Sequence, residues 1–383
     1  MTRRANACGR LLVVGLSART MAEGAVAAGF RVDAADCFGD RDTLAVVDRW
    51  HPCGAGGQLA LAPARLLALL AELARGGEFL GWVAGNGFEG RADLLAQGEA
   101  LLPLLGNPAA VLRQVRTPAT FFSRLSALAI AHPPIRLDPP PESGWLAKDA
   151  WGSGGWHVRR HDPRQPLPAT GGGHYFQREQ AGVPMSALFV ADRQRARVLG
   201  FSRQLVRPLG GRPMVYRGCI GPVTVDAAVA GRIAGIADTL TRAFELRGVN
   251  GIDFLLDGMG VAILELNPRP VASIAVLHDS VAGGPIAAHL SALLDGRLPS
   301  RSKPPAGVVH GCETVFARRR LYLDGDQADR LAQLPWCHDR PASATGFSWG
   351  EPVCSITASG PDADAVGDEL RRRRAQVTKL MEH

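Results

Sequence analysis

The sequence predicts an α/β protein, with an N-terminal open parallel α/β unit, a Gly-rich α+β middle and a small β-rich cap at the C-terminal end. Three observations carry that reading. Residues 11–34 alternate as strand, turn, helix and strand, the pattern of a parallel βαβ unit. From Trp145 onward the texture changes to short strands separated by Gly-rich turns. A hairpin then spans Gly251–Leu266, after a helical tract over Ala227–Phe244. A chain of 383 residues, 46% hydrophobic and 21% charged, is ordinary for a globular protein, and about 150 residues per domain suggests two or three domains.

Taken in order, Leu11–Val14 is a short apolar strand, Gly15-Leu16-Ser17 a turn, Met21–Ala28 a helix and Phe30–Ala34 the second strand. The turn lacks Gly-x-Gly-x-x-Gly, so it does not indicate dinucleotide binding. Ala60–Ala74 reads as a helix rich in Ala and Leu, and Glu78–Ala84 as a further strand, closing a first domain at residue 106. Asn107–Leu128 is helical with a break at Pro118, and the Pro-rich His132–Pro141 is a linker. Strands follow at Gly144–Lys148, His174–Arg178, Ser186–Ala191 and Arg197–Gln204. A helix over Ser280–Asp295 and a linker around Ser300–Ala306 end a second domain, 107–305. The cap, 306–383, carries strands over Val308–Ile356 and a charged helix near Asp362–Met381.

The formal net charge of +7 rests on arginine, since only Lys148, Lys303 and Lys379 are lysines. Short runs at Arg318–Arg320 and Arg371–Arg374 are not interleaved with aromatics, so the balance favours small anionic ligands and not nucleic acid. Cysteines 8, 37, 53, 219, 312, 337 and 354 are dispersed and never form Cys-x-x-Cys. They argue against a disulfide framework and a structural zinc site, and for reduced thiols in a cytoplasmic protein. The opening MTRRANACGRLLVVGLSARTM has an apolar run of only Leu11–Leu16 before Arg19, so it reads as the first strand and not as a leader. No apolar run approaches about 18 residues, so no membrane span is expected.

The chemistry concentrates in the hairpin. In Ala262-Ile-Leu-Glu-Leu-Asn-Pro-Arg-Pro270, Glu265, Asn267 and Arg269 fall at alternate positions and therefore on one strand face, with Leu264 and Leu266 on the other. A three-residue Gly258-Met259-Gly260 turn would set Asp257 against Val261 and hence Asp253 against Glu265, with Cβ atoms about 5 Å apart. Like charges so close call for a cation. Two carboxylates with the Asn267 amide oxygen are hard ligands suited to Mg²⁺ shared with a phosphate. The alternative is a polar sheet face that simply ends in solvent.

Upstream, Lys148 ends a strand and Gly152-Ser153-Gly154-Gly155 follows within a few residues. Such a loop lets backbone N–H groups converge on phosphate oxygens, and the ammonium adds a point charge. It is not a Walker A motif, because no Gly-Lys-Ser/Thr opens a helix. In His174-Tyr-Phe-Gln-Arg-Glu-Gln180 the edge around Gln177 could meet a base, and Glu179 could accept from ribose hydroxyls.

In this order the pieces resemble the ATP-grasp superfamily: Lys148 with Gly152–Gly155, Gln177-Arg-Glu179, Asp253, Glu265, and Asn267-Pro268-Arg269. The resemblance covers roughly residues 10–300. The tail, from Asp339-Arg-Pro341 to Trp349-Gly-Glu-Pro-Val-Cys-Ser-Ile-Thr357, is similar to the biotin carboxylase-like branch. The resemblance implies the ATP-grasp fold, with a mobile α+β lid at about 143–180 and a metal-binding lobe at about 181–305. ATP would lie between them, with Lys148, the glycine loop, Gln177 and Glu179 on the nucleotide. Mg²⁺ would sit on Asp253, Glu265 and Asn267. The implied chemistry is ATP-dependent activation of a small-molecule carboxylate as an acyl phosphate for attack by an amine, with Arg269 holding the anion. Arg217 would assist, and Arg203, Gln204 and Arg207 are further candidates for phosphate or substrate contact. The family often has Glu where Asp253 stands. The basic residue that commonly precedes the lid would be Arg113 or Arg116. No Met-Lys-Met is present, so a biotin carrier is not expected. Asp36-Cys-Phe-Gly-Asp-Arg-Asp-Thr43 and Gly87-Phe-Glu89 resemble ATP-grasp ligases of methylotrophs linked to methanofuran-type C1 carriers, which would imply glutamyl ligation in cofactor biosynthesis. Relatives of this kind are often homodimers. An ATP-dependent carboxylase acting through carboxyphosphate and a non-catalytic nucleotide-binding module are the competing readings.

Overall fold

The computed structural model describes residues 8–56, 59–300 and 307–382. The linker expected around Ser300–Ala306 lies almost wholly outside the described residues, as does Lys303.

The first layer runs β1 (Cys8–Val14), α1 (Arg19–Ala27), β2 (Phe30–Asp36), α2 (Arg41–Val46), β3 (Arg49–Pro52), α3 (Pro63–Gly76), β4 (Phe79–Ala84) and α4 (Ala92–Leu101). Its four-stranded sheet, in the order β3-β2-β1-β4, is parallel in every pairing. Both faces of β1 are buried: Leu11 and Val13 pack with α1, and Leu12 and Val14 with α3 and α4. This explains why β1 reads as a continuous apolar run. Helix α3 starts on a proline and stops where Gly77 turns left-handed at φ +67°, the sequence's own punctuation. The chain winds outward from β1 to β3 and then returns beside β1 as β4. The β1/β4 junction is therefore a topological switch point, where open α/β sheets place ligands beyond the carboxyl ends of their strands.

Helices α5 (Ala109–Arg116) and α6 (Pro118–Ala127) follow, broken at Pro118 as its ring requires. A small antiparallel sheet comes next, ordered β5-β8-β6-β7, from β5 (Ile135–Arg136), β6 (Trp145–Asp149), β7 (Val158–Arg160) and β8 (His174–Arg178).

The third layer contains β9 (Val183–Asp192), β10 (Ala196–Leu209), β11 (Arg212–Gly221), α7 (Ala227–Phe244), β12 (Arg247–Asp257), β13 (Gly260–Asn267), a 3-10 turn at Ala272–Ala275 and α8 (Gly284–Leu294). After these come β14 (Val309–Phe316), β15 (Leu321–Leu323), α9 (Gly325–Ala332), β16 (Cys337–His338), β17 (Thr345–Phe347), β18 (Pro352–Gly360) and α10 (Ala363–Glu382). The large sheet has eight strands in the order β13-β12-β9-β10-β11-β14-β18-β16. The C-terminal strands β14, β18 and β16 therefore join this sheet, and β15 and β17 pair apart as a two-stranded sheet. Strand β14 pairs with β11 from Gly218↔Glu313 to Gly221↔His310 and extends the lobe's sheet. The sequence hid this junction, because β11 carries two bulge-making irregularities and no clean alternation.

Central strands of this sheet are covered on both faces. Along β9, Met185, Ala187, Phe189 and Ala191 join the core under α6 and α7, while Leu188 and Val190 meet α1 and α8. Helix α7 starts at Asp226, whose carboxylate accepts from the Ala228 N–H, and buries Val229, Ile233, Ala237 and Leu240 on that core. No helix among the described residues is long and apolar enough to cross a membrane.

Candidate active site

The hairpin delivers the pairing expected of it by a different route. Asp257 pairs with Gly260 across a two-residue Gly258-Met259 turn, with Gly258 at φ +55°. Carried down the ladder unbroken, that register would set Asp253 against Leu264. A β-bulge between Asp253 and Phe254 absorbs one residue of β13, so Asp253 faces Glu265 and Gly251 faces Asn267. Consequently Val261, Ile263 and Leu266 reach the core and Leu264 does not, which corrects the simple alternation.

The face that presents Asp253 and Glu265 is the one that buries Leu188, Val190 and Val249 nearer the N-terminal layer. At the hairpin end it turns polar. Ser186 lies across from Asp253, and Ser202 across from Ser186. Asp253 accepts hydrogen bonds from Ser186 and Gln204. Asn267 Nδ2 donates to Asp253 Oδ2 at 3.2 Å and to Glu265 Oε1 at 3.1 Å. The amide nitrogen thus stands between the carboxylates, and Asn267 would need to turn its amide through about 180° to offer oxygen to a metal.

Burial and then the neighbouring Glu265 push the Asp253 carboxyl well above its usual range. Burial works against Glu265 as well, but Arg116, the hydrogen bonds from Asp253 and Asn267, and Lys148 hold its carboxyl down at about 2. Two half-buried carboxyls in contact favour either a shared proton or a cation. Oxygen donors at this spacing, with basic groups beside them, fit Mg²⁺ shared with phosphate.

The cations come from α5 and the small sheet. Arg116 Nη1 lies 3.6 Å from Glu265 Oε2, and its Nη2 donates to the Gly152 carbonyl of the glycine loop. Arg113 instead pairs with Asp93 in solvent, so of the two arginines only Arg116 stands beside the carboxylates. Lys148 Nζ donates to Gln177 Oε1 at 2.6 Å, and burial lowers its pKa although Glu265 and Asp253 pull it up. Gln177 Nε2 is buried and has no hydrogen-bond partner, an orphan donor of the kind a ligand satisfies. In the loop, Gly154 and Gly155 adopt φ +62° and +75°. A Cβ on Gly155 would run into the Met214 carbonyl, so only glycine lets the loop lie on β11, where the Tyr216 N–H donates to the Gly154 carbonyl at 3.0 Å. Ser153 belongs to the same loop, its carbonyl 3.3 Å from His157 Nδ1. Glu179 follows β8 and, half-buried, pairs with the exposed Arg160 at 3.0 Å.

Arg269 takes a partner the sequence did not suggest. Its Nη2 lies 2.6 Å from Oε1 of Glu89, a buried residue just past the carboxyl end of β4. Burial would raise the Glu89 carboxyl, but Arg269, Arg116 and backbone donors hold it below the usual range. Glu89, Asn107, Arg116, Asn267 and Arg269 share a crevice at the β1/β4 switch point. Asn107 braces its floor, its Nδ2 donating to Asn250 Oδ1 at 2.8 Å and to the Pro268 carbonyl at 3.1 Å. The position of Glu89 beyond a parallel strand was the available signal.

The other arginines on the large sheet divide by face. Gln204 reaches Asp253, whereas the adjacent Arg203 points the other way and donates to the Ala363 carbonyl at 3.4 Å. Arg217 Nη2 donates to the Pro208 carbonyl at 3.0 Å, and its charged neighbours are Glu313, Arg374, Arg318 and Arg207. Arg217 and Arg207 are therefore not gathered with the carboxylates.

With this geometry, residues 114–273 match the family model of the ATP-grasp domain. The chain carries an ATP-grasp domain. A protein of Methanocaldococcus jannaschii is 23% identical over 138 residues, 36% of this chain and 33% of that protein, so the match spans about a third of the relative's length. Among solved structures, the chain resembles N5-carboxyaminoimidazole ribonucleotide synthetase from Thermus thermophilus, with a TM-score of 0.69, 17% identity and 97% and 99% of the two chains covered. It also resembles L-amino acid ligase from Bacillus licheniformis, with a TM-score of 0.67, 14% identity and 96% and 97% covered. The ATP-grasp fold thus extends over nearly the whole chain.

Proposed function

We propose that this ATP-grasp protein is a Mg-ATP-dependent ligase that activates a carboxylate as an acyl phosphate for attack by an amine. The observation that carries the reading is the half-buried Asp253–Glu265 pair, flanked by Arg116 and Lys148, inside the matched segment. Asp253 and Glu265 would hold the magnesium, with Asn267 joining once its amide turns. When bound, the ion neutralises phosphoryl charge.

The chain's own groups supply positioning and charge, which dominate phosphoryl transfer. Lys148 and the N–H groups of Gly152–Gly155 would hold ATP phosphates, and Arg116 would bridge them to Glu265. Gln177 Nε2 would donate to the nucleotide, and Glu179 would leave Arg160 to accept from the ribose. A carboxylate oxygen of the substrate takes the γ-phosphoryl group, and ADP leaves. The amine nitrogen then attacks the acyl carbon, loses a proton and expels phosphate. Arg269 would hold the substrate carboxylate by exchanging Glu89 for it, a bidentate partner of the same charge. The protein named N5-carboxyaminoimidazole ribonucleotide synthetase keeps carboxylation through carboxyphosphate as the second reading.

The test is ADP release from the purified protein with Mg-ATP over a panel of acids and amines, including glutamate with aromatic amines to cover glutamyl transfer. A ligase releases ADP only with acid and amine together. Dependence on bicarbonate in place of the acid selects the carboxylase. Absence of release with every pair, alongside ATP binding, leaves a binding module and overturns the proposal.

A further inference from the structure

Away from the hairpin along the large sheet, where β9, β10 and β11 separate β12 from β14, His278 and Asp279 follow the 3-10 turn and His310 stands on β14. One donor atom of each lies within 4.8 Å of the other two. His278 Nε2 is 3.2 Å from Asp279 Oδ2, and His310 Nε2 is 3.9 Å from the same oxygen. No step of the proposed ligase chemistry uses these residues.

The orientation of the two rings is the informative part. His278 Nδ1 lies 2.9 Å from the Ala275 carbonyl. A carbonyl only accepts, so Nδ1 carries the hydrogen, and Nε2 of the neutral ring presents its lone pair to the cluster. His310 Nδ1 lies 2.9 Å from Ser359 Oγ, across the antiparallel pair His310↔Ser359, and that hydroxyl is able to accept from it, which leaves the lone pair on Nε2. Anchoring the far ring nitrogen to a carbonyl or hydroxyl is how metal-binding histidines are fixed in tautomer and angle. Two such nitrogens and a carboxylate oxygen therefore converge, three acceptors around one point. A tetrahedral ion with bonds of about 2.0–2.1 Å needs its ligand atoms about 3.3 Å apart, so a closure of well under an ångström or so per side chain completes the set.

We infer that His278, Asp279 and His310 form a binding site for a divalent transition-metal ion, with Zn²⁺ as the best match to two imidazoles and one carboxylate. Mg²⁺ prefers an all-oxygen shell, which separates this site from the Asp253–Glu265 pair. A cavity of about 110 Å³, lined in part by Asp279, Ser280, Val308 and His310, adjoins the cluster and leaves room for a water as fourth ligand. The ion would tie the segment that follows Arg269 to β14, and so brace the loop beneath the anion clamp. Cysteine spacing could not reveal the site, because all of its ligands are histidine and aspartate. The inference does not depend on the ligase reading.

The experiment titrates the chelator-treated full chain with Zn²⁺ in calorimetry, with Mg²⁺ in millimolar excess to fill the carboxylate pair. One Zn²⁺ per chain is expected, accompanied by a rise in Tm. His278→Ala and His310→Ala should each weaken binding by at least 100-fold. Ser359→Ala removes only an anchor and should weaken it about 10-fold. Co²⁺ in place of Zn²⁺ should give d–d absorption without thiolate charge transfer. Absence of stoichiometric binding, or undiminished affinity in His310→Ala, overturns the site.

Discussion

Asp253 and Glu265 stand on strands whose opposite faces enter a core with Met185, Phe189, Ile252, Phe254 and Ile263. Lys148 and the glycine loop stand on a sheet whose own buried cluster is Trp145, Ala147 and Phe176. Among the described residues, the small sheet reaches the main core only through Ala150 and Tyr175 with Ile135 beside them, and its loop is held by the Arg116 and Tyr216 bonds and by Trp156 set edge-on to Phe316 and Trp349 at 5.2 and 6.1 Å. Few buried contacts mean a low free energy of local opening. One wall of the site thus stands on the larger core and the other on the smaller one, and in the proposed ligase the second would be the side that opens to admit and release nucleotide, the gating expected where a lid commits substrate.

The sharpest break of that contrast falls on the fixed wall. Glu265→Gln keeps the size and the hydrogen bond from Asn267 but removes a charge from the pair. We expect kcat/KM for ATP-dependent turnover to fall about 10³-fold, about 4 kcal/mol of transition-state stabilisation, with little change in Tm. Activity within tenfold of the parent would remove the carboxylate pair from the chemistry. Next in size is a matched pair of truncations. Phe254→Ala should cost about 3–5 kcal/mol of global stability, visible as a lower Tm and an earlier denaturant midpoint. Phe176→Ala deletes the same ring from the lid, and its cost should appear as faster hydrogen exchange in residues 145–178 and a raised KM for ATP, with the main unfolding transition little moved. Equal Tm losses in the two variants would show that lid and lobe unfold as one unit.

The fixed wall was also the more legible one. The Asp253/Glu265 spacing and the Asn-Pro-Arg run identified the pair, although the turn was assigned three residues and has two. The bulge compensated, and nothing in Ile263-Leu264-Glu265 announces it, since both bulged and regular strands accept those residues. Helix ends were readable wherever chemistry punctuates them, as at Pro118, Asp226 and Gly77. What the sequence could not supply were partners distant along the chain. The Arg269–Glu89 pair spans 180 positions, and the β11–β14 seam joins what read as separate domains. Neither has local periodicity to betray it. Arg217 was selected for its charge type alone, and its neighbours are Glu313 and Arg374.

On the movable wall, Lys148→Ala should raise KM for ATP about tenfold and lower kcat less, because the ammonium binds phosphate in ground and transition states alike. An unchanged KM would remove Lys148 from the nucleotide site. The smallest effect returns to the fixed wall and reverses the usual sign. Burial beside Glu265 raises the Asp253 carboxyl above its ordinary 3.8 in the fold, so the metal-free native state keeps a proton that the unfolded chain releases. Asp253 therefore lowers stability progressively as pH rises through 3.8 toward its folded value. Glu265, held at about 2 against an ordinary 4.5, contributes stability that is full above 4.5 and is lost as pH falls through 2. Asp253→Asn removes the first of these without the second. The variant should be more stable than the parent by about 1–2 kcal/mol at pH 7 without Mg²⁺, and the gain should vanish near pH 3.5. Saturating Mg²⁺ should stabilise the parent at pH 7 and leave the variant where it was. Thermal unfolding at both pH values, with and without the ion, reads all four quantities. A variant less stable than the parent at pH 7 would mean that Asp253 is already paired as a full charge, and that the pair needs no cation.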